Sequence, residues 1–429
     1  MQRSLTDWLL WQSTLNPEEI DLGLDRVRVV ADNLQLLRPD RAVFTVGGTN
    51  GKGSTVAFLE ALCLANGLTT AVYTSPHLDR YNERMRINGI DVTDEWLVKS
   101  FESVDAARDS LQLTYFEFGT LAALSGFSSE QVDVWILEVG LGGRLDAVNV
   151  VDADIALVTT VALEHQEWLG DTINEIALEK AGIYRAGRPA FYGDIQAPVT
   201  LVGQATEIGA ELALYGKDFG FNRGDDAWSW QGCTLTLENL PLPVVHDDAQ
   251  MRNFSIALAA IEACDPAWLA LPAIRQALEA TRPAGRFQIV NHDSNGCQWV
   301  FDVAHNPQAA GVLRQRIDAL NDPRPLIVVL GMLADKQVKG FVEQFADLAE
   351  RWLVCSPETG RARDAEDLAA AVAAAGGANV RVEAKLDEAL QRAGHNCGDR
   401  KRILVTGSFY VVGPALSWHN LQYRQGNSQ

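Results

Sequence analysis

"VGGTNGKGSTVAFLEAL", residues 46–62, decides how the rest of this chain is read. It follows the apolar run RAVFTV (41–46) and passes into a helical pattern over 53–66 that Asn66-Gly67 stops. Strand, glycine-rich turn and helix are the setting of a phosphate-binding loop, where backbone N–H groups and the helix N-terminus face phosphate oxygens. The general pattern G-x-x-x-x-G-K-[ST] is not met, because Val46 stands where its first glycine belongs and Gly53 separates Lys52 from Ser54. Gly47, Gly48, Gly51 and Gly53 around Lys52 still favour a nucleotide site over a plain glycine turn closing a β-α unit. In that reading Lys52 neutralises the β- and γ-phosphates, and Ser54 or Thr55 reaches a magnesium ion.

The 429 residues exceed one ordinary core, so two domains, or three, are expected. A net charge of −20 opposes non-specific attraction to nucleic acid or to an acidic membrane surface. An anionic substrate must therefore be drawn by a local basic or metal-bearing site. The six cysteines form no C-x-x-C pair and read as reduced, small apolar residues. The start, MQRSLTDWLLWQ, is broken by Asp7 and does not read as a signal peptide, and no run of about 18 apolar residues suggests a membrane span. A cytoplasmic enzyme is the expectation.

Outward from the loop, strands and helices alternate. TAVYTS (70–75), VDVWILEVG (132–140) and ADIALVTTV (153–161) read as strands, the last two apolar enough to be covered on both faces. Residues 94–108 and the apolar FEFGTLAALSGF read as helices. This order predicts a doubly wound α/β domain of the phosphate-loop ATPase type. Residues 213–245 alternate and carry turn residues, predicting a small β meander, followed by helices near 251–263 and 270–281. TRPAGRFQIV (281–290) reads as a hinge. Beyond it, WVFDVA (299–304), PLIVVLGM (325–332), WLVCSP (352–357), VRVEA (380–384) and ILVTGSF (403–409) are strands of a Rossmann-like α/β C-terminal domain. The expected domains are 1–284 and 285–429.

Several further motifs join the loop. YTSPHLDRYNERMRING (73–89) has Ser75 at a strand end. ILEVGLGGRLDAVN (136–149) puts Glu138 in or at the end of an apolar strand, where a carboxylate is costly unless paired or metal-bound. His165 in TTVALEHQEWLG and Lys180 in ALEKAGIYRAG follow, and by spacing alone Lys180 is a helix lysine paired with nearby glutamates. Together, and in this order, the motifs resemble the ATP-dependent amide ligases that include the Mur ligases, and in particular the bifunctional dihydrofolate synthase/folylpolyglutamate synthases. The resemblance spans about residues 18 to 415, and G-T-N-G-K-G-S is itself similar to the folate branch.

The resemblance implies a Mur ligase-type ATP-binding domain, with ATP contacts from Thr49, Asn50, Gly51, Lys52, Gly53, Ser54, Asn253, Arg286 and Asp302. It implies Mg²⁺ ligands Ser54, Ser75, Glu138 and His165, a carbamylated Lys180, and Lys52, His165, Lys180 and Arg286 as catalytic residues. Arg286 lies at the expected hinge, where domain closure would bring a cation to ATP. Family members usually carry Asp-His where this chain has Glu164-His165, and often histidine where Tyr410 stands. IDLGLDRV (20–27) and LTYFEFGTLAAL (113–124) resemble dihydropteroate-binding pieces. They imply pterin or folate contacts from Asp21, Leu22, Gly23, Thr114, Tyr115, Phe116 and Glu117, joined by Leu145, Asp146 and Ala147. Tyr115, Phe116 and Phe118 offer flat surfaces for a ring, and Asp21 and Glu117 accept hydrogen bonds from pterin nitrogens.

The implied reaction joins a pteroate or folate carboxylate to the amine of L-glutamate through an acyl phosphate, with dihydropteroate and tetrahydrofolate-type substrates and a monomeric enzyme. The alternatives are a folylpolyglutamate synthase without dihydropteroate activity, a cell-wall Mur ligase, and a phosphate-loop kinase, GTPase or non-catalytic nucleotide-binding module. No N-K-x-D guanine motif supports a GTPase.

Overall fold

β1 (Ala42–Gly47) is buried because both of its edges and both of its faces are covered. Phe44 and Val46 point into one core, with the helices Lys52–Ala65, Asp248–Cys264 and Leu271–Ala280. Val43 points into the other, with Asp25–Asn33, Asp94–Arg108 and Tyr115–Ser128. Two buried faces require an unbroken apolar strand rather than an alternating one.

The other strands of this sheet are β2 (Thr70–Tyr73), β3 (Met85–Ile87), β4 (Ile90–Asp91), β5 (Val134–Glu138), β6 (Ile155–Val158), β7 (Pro189–Tyr192) and β8 (Glu211–Leu214). Their order is β4-β3-β2-β5-β1-β6-β7-β8. The core pairs are parallel, while β2–β3 and β3–β4 are antiparallel. The chain leaves β1 toward β2 on one side and leaves β5 toward β6 on the other. The sheet changes direction at the β1–β5 pair, and ligands of open α/β sheets bind beyond the strand C-termini at such a point.

The computed structural model describes residues 3–424 apart from 17, 19, 225–226, 244, 246, 282–283, 292–296 and 396–400. Its chain divides into two units, Met1–Pro76 with Tyr81–Arg282, and His77–Arg80 with Pro283–Gln429. In the first unit, β9 (Gly220–Arg223), β10 (Ala227–Gln231) and β11 (Thr236–Pro241) make an antiparallel meander that places Trp228 and Trp230 in the core of the Asp248–Cys264 helix. Its expected start is corrected: Glu211–Leu214 extends the main sheet as β8, because β7 offers it a parallel ladder.

The second unit is a sheet ordered β12-β13-β17-β14-β15-β16. These strands are Gln288–Asn291, Gln298–Asp302, Arg402–Thr406, Leu326–Leu330, Ala349–Val354 and Val380–Val382 respectively. All pairs but β12–β13 are parallel. Val300, Val328 and Leu404 face one core, and Phe301, Val329 and Val405 the other, against which Leu78 packs.

The expectation of uniformly reduced cysteines is corrected at one position. Cys63, Cys233, Cys264 and Cys355 are free thiols, whereas Cys297 is disulfide-bonded. Cys397, and Arg282 and Pro283 of the segment expected to be a hinge, lie outside the described residues. Among the described residues no helix is long and apolar enough to cross a membrane.

Candidate active site

The glycine loop is held open by close backbone contacts. Gly48 and Gly51 have φ of 136° and 93°, and a Cβ would overlap the Thr159 hydroxyl at Gly48 and the Asn253 side chain at Gly51. Both positions combine the left-handed region with a close neighbour, so glycine is required twice over. The loop is moored to the end of β6. The amide of Thr49 donates to the carbonyl of Thr160 at 2.8 Å, the amide of Asn50 donates to Thr160 Oγ1 at 2.9 Å, and Thr159 Oγ1 donates to the carbonyl of Asn50 at 2.7 Å. Gly51 caps the helix Lys52–Ala65 without a side-chain hydrogen bond, so Lys52, Gly53 and Ser54 form a first turn whose amides no capping side chain takes. Lys52 Nζ donates to the carbonyls of Gly48 at 2.8 Å and Thr49 at 3.3 Å. Buried Ser54 accepts a hydrogen bond from Gln250 Nε2 at 3.3 Å, and Gln250 lies one helical turn before Asn253.

Two residues singled out as metal ligands meet beside this loop. Glu138 ends β5 and pairs with Val46 across the β1–β5 ladder, so the register fixes it next to the loop's entry. It is buried, and its Oε2 accepts the amide of Ser75, just beyond β2, at 3.2 Å. His165 follows β6 with φ of 46° and ψ of 42°, a left-handed conformation uncommon for a residue with a Cβ. Among the described residues no three His, Cys, Asp or Glu side chains cluster as a metal centre of their own.

Lys180, near the end of the helix Ile173–Ala181, is buried and donates to Glu164 Oε1 at 2.6 Å. Its partner is thus the glutamate beside His165 rather than one on its own helix. Burial would raise the Glu164 carboxyl, but Lys180, with Lys52 and His165, holds it down to about 2. Burial pulls the Lys180 ammonium below its usual range, and Glu164 only partly restores it. Asp146 is likewise buried and is pushed up to about 6 by burial, against backbone amides and the charge of Lys52. Its oxygens accept the amides of Leu141 and Val148, capping the turn Ala147–Val150. Lys52 therefore acts electrostatically on Asp146, Glu164 and Lys180 at once.

The expected substrate segments divide. Thr114 and Glu117 form a capping box at the start of Tyr115–Ser128. Phe116 packs so closely on Gly140 that a Cβ there would overlap its ring, which brings this helix to the loop that follows Glu138. Tyr115 lies edge-on to Tyr81. Phe118 is corrected: it is fully buried among Trp8, Trp11 and Phe101 and is core, not a ligand surface. Asp21, Leu22 and Gly23 lie in the irregular segment before Asp25–Asn33, and Leu145 is half-buried beside buried Asp146 and Ala147.

Arg286 and Asp302 belong to the second unit. The Arg286 guanidinium lies 5.2 Å from the Phe409 ring centroid, and buried Asp302, ending β13, accepts the amides of Phe287 and Ala304 at 2.8 Å each. Sequence reading missed Gln250, Thr159 and Thr160. The paired threonines of VTTV, ending a strand after a glycine loop, were a readable sign; Gln250 was not, since only the fold brings it to Ser54.

Residues 285–409 match the family model "Mur ligase, glutamate ligase domain". The dihydrofolate synthase/folylpolyglutamate synthase of Escherichia coli K12 is 41% identical over 412 residues, covering 96% of this chain and 94% of that protein. Among solved structures, E. coli FolC in complex with DHPP and ADP superposes with a TM-score of 0.91 at 40% identity, covering 98% of each chain. The bifunctional enzyme of Yersinia pestis, complexed with AMPPNP and Mn ion, superposes at 0.88 and 38% identity, covering 97% of this chain and 98% of that one. With a glycine loop, a strand-end carboxylate and a buried Glu–Lys pair assembled on a fold shared over nearly its whole length, the chain belongs to the dihydrofolate synthase/folylpolyglutamate synthase family.

Proposed function

We propose that this protein is an ATP-dependent ligase that joins L-glutamate to dihydropteroate, giving dihydrofolate, and then to tetrahydrofolate-type substrates, lengthening a polyglutamate tail. The observation that carries the reading is the position of Lys52, at the start of the helix that follows a phosphate-type loop, with its Nζ on the loop carbonyls of Gly48 and Thr49. A carboxylate attacking the γ-phosphate of ATP brings two anions together, so the reaction needs cations placed before it begins. Lys52, on the first turn of its helix, supplies one and stabilises the transferring phosphoryl group. Phosphate then leaves the acyl phosphate as the α-amine of glutamate attacks. The new amide bond replaces the acyl–phosphate bond, and the amine gives up its proton.

Within this reading Thr49, Asn50, Gly51, Gly53 and Ser54 hold the phosphates, and Asn253 contacts the nucleotide from its helix. Arg286 and Asp302 are proposed as further ATP contacts. Ser54, Ser75, Glu138 and His165 are the proposed holders of Mg²⁺. Hydroxyl and carboxylate oxygens suit a hard divalent ion that retains phosphate and water oxygens, and Glu138 is a buried carboxylate at a strand end, with the Ser75 amide on one oxygen. Bound there, the ion would neutralise phosphate charge. Lys180 is proposed to be carbamylated, which its lowered ammonium pKa favours by supplying neutral amine. Asp21, Leu22, Gly23, Thr114, Tyr115, Phe116, Glu117, Leu145, Asp146 and Ala147 are proposed for the pterin-bearing substrate. A cytoplasmic monomer with domains 1–284 and 285–429 completes the proposal.

The test is mass analysis of products formed from ATP, L-glutamate and either dihydropteroate or tetrahydrofolate. Added glutamate on both supports the proposal. Addition to tetrahydrofolate alone makes the enzyme a folylpolyglutamate synthase only, and addition to neither rejects the ligase reading.

A further inference from the structure

Arg26 received no role from the sequence, yet it joins two segments of the proposed substrate region. Its Nε donates to Glu117 Oε2 at 2.9 Å, its NH1 lies 2.6 Å from Asp21 Oδ2, and its NH2 donates to the Asp21 backbone carbonyl. One guanidinium thus ties the segment before Asp25–Asn33 to the first turn of Tyr115–Ser128, across 91 residues of sequence. A planar fork with several fixed donors can do this, and a lysine ammonium cannot do it with equal geometry.

Glu117 is what makes the arrangement more than a brace. The residue is 4% exposed. Oε2 is taken by Arg26 and by the amide of Thr114. Oε1 lies 2.9 Å from the same Arg26 nitrogen, but it has no properly directed hydrogen-bond donor among the described residues. A buried carboxylate oxygen whose neighbouring cation is not directed at it gains free energy from a well-aimed ligand N–H. Asp21, Glu117 and Arg26 together carry one net negative charge, so the ligand part that fits beside them is a neutral, donor-rich group and not an anion.

We propose that Arg26 is a positioning residue for the acyl substrate: it locks Glu117 and Asp21 so that Glu117 Oε1 receives an N–H donor of the substrate's neutral nitrogen heterocycle, and so sets which end of the substrate faces the phosphate loop. The inference rests on the ligase reading above. Its test compares the full-length wild type with Arg26→Gln and Arg26→Lys, measuring kcat and KM for dihydropteroate and, separately, KM for ATP, alongside thermal midpoints. Arg26→Gln should raise KM for dihydropteroate on the order of ten- to a hundred-fold, as expected for a lost charge-assisted contact. Its KM for ATP should stay within about twofold, since no atom of Arg26 is assigned to the nucleotide, and kcat should change less than KM. Arg26→Lys should recover part of the loss. A dihydropteroate KM at the wild-type value in Arg26→Gln overturns the assignment, as does a parallel loss in kcat and both KM values, which marks a purely structural brace. Should Arg26→Gln fail to fold, Arg26→Lys decides: an unchanged dihydropteroate KM overturns the assignment and a selectively raised one supports it. Wild-type enzyme that ignores dihydropteroate but elongates tetrahydrofolate narrows the ligase reading and removes this inference; wild-type enzyme inactive on both removes the reading itself.

Discussion

The first sheet gathers its strand-end charges beyond the C-termini, whereas the second also buries a charge network at its strand N-termini. In the first unit Glu138 ends β5, and Glu164 and His165 follow β6, so the charges gather beyond the strand C-termini, with Lys180 among them. In the second unit a buried arginine, Arg402, begins β17, bonds Gln298 at the start of β13 at 2.6 Å, and lies 3.6 Å from Asp322. That network closes the strand N-termini, where open α/β sheets do not bind ligands. Buried charge alone does not mark a site, then; its position along the strands does. Asp302, buried at the C-terminal end of β13 with Arg316 3.4 Å away, is the second sheet's charge at the end where ligands bind, and it is a proposed nucleotide contact.

The sharpest way to break this comparison is at the loop. Lys52→Ala should lower turnover on the order of 10²–10³-fold, as for loss of one preorganised charge partner, with an unchanged circular-dichroism melt. Near-normal turnover would remove the loop from the chemistry. In protein kept free of CO₂ and bicarbonate, where Lys180 is the ammonium that pairs with Glu164, Lys180→Ala strikes both stability and turnover, because it leaves the Glu164 carboxylate buried without its cation. A loss of about 3 kcal/mol or more in urea unfolding is expected, and a fully stable variant would show that Glu164 finds another partner.

Arg402→Gln, at the opposite strand end, should cost about 1–3 kcal/mol of stability while leaving kcat/KM per folded molecule intact. A selective loss of kcat/KM there would dissolve the distinction between the two ends. Thr159→Val removes the hydroxyl that holds the carbonyl of Asn50, a change worth about 1 kcal/mol. Its expected signature is a modest rise in KM for ATP, and an equal rise in KM for the acyl substrate would argue against a loop-specific effect.

The sequence made the strand–loop–helix at 41–66 readable because glycine, lysine and an unbroken apolar strand coincide there. β5 and β6 were readable for the same reason, being covered on both faces. The short hairpin strands β3 and β4 escaped, since Met85–Ile87 and Ile90–Asp91 are too brief to carry a pattern. So did the membership of β8, because a partner strand, not local composition, decided it. Glu138 was legible as a costly carboxylate at a strand end, whereas the proposed metal role of His165 came from the resemblance alone. The Glu164–Lys180 pair, the Arg26 bridge and the Gln250–Ser54 contact were not, because each joins side chains that only the fold brings together. Phe118 shows the converse error: an aromatic that follows four site candidates, 114–117, belongs to the core when its helical face points inward.

The most direct test of the central claim is phosphate release from ATP by the purified full chain, with the acyl substrate and L-glutamate supplied singly and together. Release sustained only when glutamate is joined by dihydropteroate or tetrahydrofolate is the predicted result, because turnover requires an acyl phosphate to form and an amine to consume it. Equal release without any acyl substrate, or none with both present, would contradict it.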